Sequence, residues 1–276
     1  MEMAKTMVKV EDIVLQHSGR GMDVLRQVMP EDYITECAKT LEQKTRGTVL
    51  LATGFYVAGY AETDGPAGTY FLAKALEKSG FDCVIVTDSF CRGFFPDVKT
   101  EYVEKGFDPQ QLLDRYQPVA MISIERCGKN TNGDYANMRG VSIAEHTPEI
   151  DDLFALAQRQ GIYTVGVGDG GNEIGMGNVQ DVIAEKLALV PCVTRVTRLI
   201  IATVSNWGAY ALAAELSKLR GEKLLAETDE IVSYIAKTVE IGSVDGVNKV
   251  RTVTVDGFDL DVSRSIVDAL HDYIDQ

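Results

Sequence analysis

Five short apolar runs, each separated from the next by room for a helix, constrain this chain more than any other feature. They are TVLLAT (residues 48–53), CVIVTD (83–88), VAMISIE (119–125), IYTVGVGD (162–169) and RLIIATVS (198–205). Each has the length and β-branched content of a strand. Helical segments lie between and after them: 66–80, opened by Pro66 and stopped by Gly80, then 108–118, 148–161, 179–189 and 206–221. Strands that alternate with helices need crossover connections, which are right-handed and leave the strands parallel. Such a sheet is covered on both faces, which agrees with runs that are apolar throughout. The expected fold is therefore α/β: a mostly parallel, Rossmann-like sheet of five or more strands with helices on both faces. Residues 1–45 read as a helical segment, with Pro30 in the first turn of its second helix, and 46–221 as the α/β core. Residues 222–276 read as a small C-terminal β-α extension: a helix near 227–240, a strand at 250–255 and a last helix from about 260. No repeat or linker divides the chain, so one domain is expected over 1–276.

The totals exclude several classes. A net charge of −14 repels nucleic acid and anionic membrane, so neither is an expected partner. No stretch approaches the roughly 20 apolar residues of a membrane helix. The five cysteines are odd in number and show no C-x-x-C pair, which argues against a disulfide framework or structural zinc. A reducing cytoplasm is the expected setting. The N-terminus lacks the apolar core of a secretory signal.

Ligands in open parallel sheets bind beyond the carboxyl ends of the strands. The loops there carry Glu62 and Asp64, Asp88 and Arg92, Glu125 with Arg126, Lys129, Asn130, Asp134 and Arg139, then Asp169, Asn172 and Glu173, all interleaved with glycine. The loop YTVGVGDGGNEIGMGNV places Gly166, Gly168 and Gly171 at G-x-G-x-x-G spacing. Asp169 inside the motif would face a pyrophosphate, and the next strand ends in Ser205 and Asn206, with no acid for a ribose. No P-loop occurs either, so no nucleotide cofactor is expected. Asp169, Asn172 and Glu173 suit a hard divalent cation, a substrate ammonium, proton transfer, or simply turn hydrogen bonds. Asp64 before Pro66 reads either as a helix cap or as part of an acidic site with Glu62. His146 reads as a surface residue. Cys91 and Cys127 each follow a strand beside an arginine, but no histidine base is placed for either.

Three stretches, TGFYVAGYAETDGPAGTYFLAKALEKSGFDCVIVTD, SIERCGKNTNGDYANMRG with EHTPEIDDLF, and GVGDGGNEIGMGNV, resemble the D-glutamate cyclase family from about Thr48 to Asp256. The resemblance implies cyclisation of D-glutamate to 5-oxo-D-proline with loss of water. In some members the domain is the C-terminal half of a longer mitochondrial protein; without a transit peptide, the expectation here is a cytoplasmic protein. The reaction needs a base for the ammonium, an acid for the departing hydroxyl, and a cation or metal for oxyanion charge. Asp169, Glu173, Asp64 and Glu125 are the candidate catalytic residues. Glu62, Arg126, Lys129, Asn130, Arg139, Asn172, Gly170 and Gly171 are candidates for binding the amino acid. Asp169 and Glu173 are candidate ligands for a divalent metal, Mg or Mn. Two alternatives stand beside this reading: a metal-dependent phosphatase or sugar-phosphate enzyme, and a non-catalytic amino-acid-binding protein. The small residues of 206–221 suit either a homodimer contact or close coverage of the sheet, with coverage preferred.

Overall fold

A computed structural model describes residues 8–276. The first seven residues of the helical N-terminal segment therefore lie outside the described residues. Six strands form the central sheet: β1 (Thr48–Ala52), β2 (Asp82–Thr87), β3 (Lys99–Tyr102), β4 (Ala120–Ile124), β5 (Tyr163–Gly168) and β6 (Arg198–Ile201). All neighbours run parallel, in the order β3-β2-β1-β4-β5-β6. β1 is central, with Leu51 opposite Ile85 on one side and Ile122 on the other. Strand addition reverses direction between β1 and β4, which makes their carboxyl ends the topological switch point.

Ten helices surround this sheet among the described residues: α1 (Val10–Val14), α2 (Met22–Arg26), α3 (Tyr33–Glu42), α4 (Pro66–Lys78), α5 (Pro109–Tyr116), α6 (Ile150–Arg159), α7 (Gln180–Lys186), α8 (Ser205–Arg220), α9 (Thr228–Ile241) and α10 (Leu260–Ile274). α4 and α8 pack together on the sheet, α5 packs on α6, and α3 and α10 lie against α8. α8 is buried from Ser205 to Ser217, so its small residues serve coverage within the chain. At its closest approach to α4, a Cβ on Gly68 would stand 2.9 Å from the Cβ of Ala209. The main apolar core runs from Val10 through the sheet to Tyr273. Among the described residues no helix is long and apolar enough to cross a membrane.

Three expectations change. β3 lies at the sheet edge and reads KTEY, half-buried and charged, so it shows no apolar run. The N-terminal helical segment breaks into α1 and α2 around His17 and Gly21, both with positive φ, and α3 starts three residues after Pro30. The strand expected at 250–255 shrinks to Thr254–Val255, paired in a hairpin with Phe258–Asp259. Val250 and Val253 are exposed, so that run has no face to bury.

The starts of α4 and α8 cap one another. Asp64 does not cap its own helix; its oxygens accept from the amides of Ser205 (2.8 Å) and Asn206 (2.7 Å) at the start of α8. Asn206 Oδ1 in turn accepts from Gly65 (3.1 Å) and Gly68 (2.6 Å) at the start of α4. Four amides that the helices leave free are thus satisfied in a buried setting. Asn206→Ala is expected to lower the unfolding free energy by roughly 1–3 kcal/mol, since the buried Gly68 amide loses its acceptor while Gly65 keeps Asp64 Oδ1. Asp108→Ala, which removes the exposed cap of α5, should cost only about 1 kcal/mol. Urea titration of both variants checks the order.

Candidate active site

A cavity of about 310 Å³ opens over the carboxyl ends of β1, β4 and β5. Its floor is built of acids from four separate parts of the chain. Glu62 follows β1, Glu125 follows β4, Asp169 and Glu173 follow β5, and Asp256 stands in the turn of the C-terminal hairpin. Close packing forces them together. A Cβ on Gly65, which has φ +93°, would stand 2.8 Å from the Cβ of Glu125, and one on Gly246 would stand 2.2 Å from Glu62 Oε2. Glu125 itself has φ +46°, an uncommon conformation for a side-chain-bearing residue and one that concentrates at functional sites.

Arg20 enters this floor from the loop between α1 and α2. Its Nη2 donates to Asp169 Oδ2 (2.6 Å), Asp256 Oδ2 (2.5 Å) and the carbonyl of Thr203 (3.0 Å). Ser205 Oγ donates to Glu125 Oε2 (2.5 Å), and the Ser205 amide reaches Asp169 Oδ2 at 3.2 Å. Glu173 accepts from the amides of Gly170 and Gly171, one on each oxygen and both at 2.8 Å. Those are the amides that a dinucleotide loop would turn toward pyrophosphate. Glu62 Oε1 is buried without a hydrogen-bond partner.

With Asp64 beneath the floor, six carboxylates face one guanidinium, which leaves five uncompensated negative charges if all are ionised. Burial pushes Glu62, Glu125 and Asp169 well above the ordinary carboxylate range, and each repels the others. For Asp169, Arg20 opposes this rise. Burial, then repulsion from Asp256, raises Asp64 to about 7, and burial raises Glu173. Burial and mutual repulsion therefore favour protonated carboxyls in the floor, and a cation bound there would oppose that rise.

The mouth has the opposite charge. Arg139 and Lys249 line it, both exposed, with no side-chain hydrogen bond or ion pair among the described residues. Lys249 sits in a left-handed turn (φ +60°) of a loop organised by buried Asp245, which accepts from Val247, Asn248, Thr254 and Gly257.

A model of the family described as D-glutamate cyclase-like, C-terminal, matches residues 10–271. The chain belongs to that family. Human mitochondrial D-glutamate cyclase is 32% identical to it over 199 residues, covering 61% of this chain and 32% of the human protein. The match thus spans about a third of that relative's length. The catalytic domain of a hyperthermophilic chitinase from Pyrococcus furiosus superposes with a TM-score of 0.25 and 14% identity over 88% of this chain and 91% of its own, a likeness that carries no argument.

In this D-glutamate cyclase-like chain, the residues singled out from sequence separate into two groups. Glu62, Glu125, Arg139, Asp169, Gly170, Asn172 and Glu173 meet at the cavity, with Gly171 bonded behind Glu173. Asn172 also ties the loop down, donating to the Ala136 carbonyl at 2.8 Å. His146 is exposed at the rim and stacks on Tyr56, with centroids 4.2 Å apart. Asp64 lies under the floor as the α8 cap. Three residues expected to bind substrate stand elsewhere. Arg126 is buried, bonded to Asp88 and to the carbonyls of Gly54 and Pro148. Lys129 pairs with Asp152 on the outer surface, and Asn130 closes a turn through the amides of Asn132 and Asp134. Cys91 and Cys127 are buried outside the cavity, and burial pushes both thiols up. Arg20, Gly246, Lys249 and Asp256 were not singled out from sequence, because they follow no strand of the main sheet. For Arg20, Gly246 and Asp256 the only sequence signal is the glycine turns HSGRG and VDG, and Lys249 carries none.

The raised acids fix the sign of the pH dependence. Their folded values exceed the unfolded ones, so their stabilising contribution is complete at low pH and is lost as pH rises. For Asp64 the loss runs from about 4 to about 7. The melting temperature should fall across that window, and Glu62→Gln, a neutral copy of the protonated acid, should flatten the fall and raise the melting temperature at pH above 7. Thermal melts across the pH range test this.

Proposed function

We propose that the chain is a D-glutamate cyclase, converting D-glutamate to 5-oxo-D-proline with loss of water. The observation that carries the reading is the polarity of the cavity: a buried acidic floor beneath a mouth with two cations that have no partner among the described residues. An amino dicarboxylate complements both ends. Its ammonium takes the floor, and a carboxylate takes Arg139 and Lys249, the arginine fork binding bidentately. A phosphate ester would need a bridging metal on that floor, whereas an amino dicarboxylate brings its own cation. Membership of the family, and the name of the human relative, support the same substrate.

Asp169 is assigned as the base, since the guanidinium of Arg20 bonded to it opposes the rise that burial imposes. Glu125, raised by burial and by Glu173 and Glu62, is assigned as the acid that protonates the departing hydroxyl. The amine nitrogen bonds to the side-chain carboxyl carbon and closes the five-membered ring. Because both reacting groups belong to one molecule, holding the chain folded supplies much of the acceleration, with effective molarities of about 10⁵ M and above. Glu173 keeps the glycine loop in shape, and Asp64 keeps Ser205 under Glu125.

A divalent ion, Mg or Mn, is compatible with the floor. Oxygens of Glu125, Asp169 and Glu173 lie within 4.8 Å of one another, and hard oxygen donors suit either ion. Asp169 and Glu173 would hold it, and it would supply Lewis-acid polarisation of a carboxyl oxygen.

The test is incubation with D- and L-glutamate, with and without EDTA, followed by chiral chromatography for 5-oxoproline. Product from D-glutamate is expected; none with either enantiomer sinks the reading. Asp169→Asn and Glu125→Gln should each lower kcat by about a hundredfold or more, with the fold retained by circular dichroism. Arg139→Ala and Lys249→Ala should instead raise KM, by about tenfold each, because they remove binding contacts away from the reacting atoms.

A further inference from the structure

One wall of the cavity is unaccounted for by glutamate. Beside the acids, the cavity is lined by Phe55, Val57, Met138, Val141 and Ile143. Phe55, Val57 and Ile143 belong to a small apolar cluster separate from the main core, so this wall is packed rather than loose. Met138 and Val141 continue it to the mouth, where they are 41% and 58% exposed. Glutamate has only two methylenes to offer such a surface. A volume of about 310 Å³ also reaches the range of sites that enclose drug-sized ligands, roughly 300–1,000 Å³. Exposed apolar side chains that line a built cavity mark a ligand surface.

Resting on the cyclase reading, we propose that the site also takes γ-amides of D-glutamate whose amide nitrogen carries an apolar or aromatic group, and cyclises them with release of the amine. The glutamyl part binds as D-glutamate does, ammonium on the floor and α-carboxylate at the mouth cations. The substituent lies along the apolar wall. The amine nitrogen forms a bond to the side-chain carbonyl carbon, and the bond from that carbon to the amide nitrogen breaks. The ammonium loses one proton to place its lone pair on nitrogen and a second as the ring closes. One returns to the departing nitrogen through the acids of the floor, and the other leaves to solvent or with the amine as its ammonium. The products are 5-oxo-D-proline and the free amine. Water is neither consumed nor released, and nothing is oxidised.

The probe is the γ-p-nitroanilide of D-glutamate, compared with D-glutamine and D-glutamate on the full chain. The anilide should release p-nitroaniline and 5-oxo-D-proline together; since p-nitroaniline also leaves more readily than ammonia, the share of the wall is read from the variant below. The double variant Met138→Gln, Val141→Asn alters only exposed wall residues. It should lose about tenfold on the anilide and leave D-glutamate turnover unchanged. If D-glutamate is cyclised but the anilide yields no amine, the proposal falls and the cyclase reading stands. It falls too if the double variant handles the anilide as the parent does. If no substrate yields 5-oxoproline, both readings fall.

Discussion

A single nitrogen of Arg20 ties three distant parts of the chain into one site. Nη2 reaches Asp169 after β5, Asp256 in the C-terminal hairpin and the backbone after β6. Without that cation, acids from both halves of the sheet and from the C-terminal segment would meet unbalanced in a desolvated floor, which is costly for every charge left unpaired. With it, the acids converge but remain short of positive charge. The loop before α2 and the loop after Val244 are therefore parts of the site, although neither follows a strand of the main sheet. Val14 accepts from the Thr203 amide (2.9 Å) and Val244 from Thr63 (2.9 Å), so both segments are anchored to the backbone of the core.

The shortfall of charge explains why the chemistry belongs here. Carboxyls raised by burial suit the role of acid, and the one whose rise a guanidinium opposes suits the role of base. Like-charged neighbours in a dry site push such roles apart. On the proposed reading, an incoming ammonium would both satisfy the floor and deliver the nucleophile. The mutual capping of α4 and α8 works toward the same end. It fixes Ser205 under Glu125 and spends Asp64 on backbone amides.

The sheet was legible in sequence because burial on both faces leaves continuous apolar runs. All five runs are strands, and Pro66 and Gly80 bounded α4 as expected, although Asp64 caps α8 instead. β3 was not legible, since an edge strand with one partner can carry Lys99 and Glu101. Of the site, the acids that follow strands were visible as a group. Which of the cations serve it was not. Arg126 and Lys129 stand in a strand-end loop but are committed to Asp88 and Asp152, while Arg20 and Lys249 arrive from segments whose positions depend on tertiary packing. Pairing between charges far apart in sequence leaves no periodic trace, so only the fold reveals it.

The central claim is that the floor exchanges protons for a substrate cation. D-aspartate tests it directly, since it carries the same charged groups as D-glutamate but closure would need a strained four-membered lactam. The measurement is the number of protons released on binding, taken from calorimetric titrations at a pH near 7 in two buffers of different ionisation heat. Release of protons with D-aspartate, and none with succinate, which lacks the ammonium, is the predicted result. Binding of D-aspartate with no proton release would contradict the account.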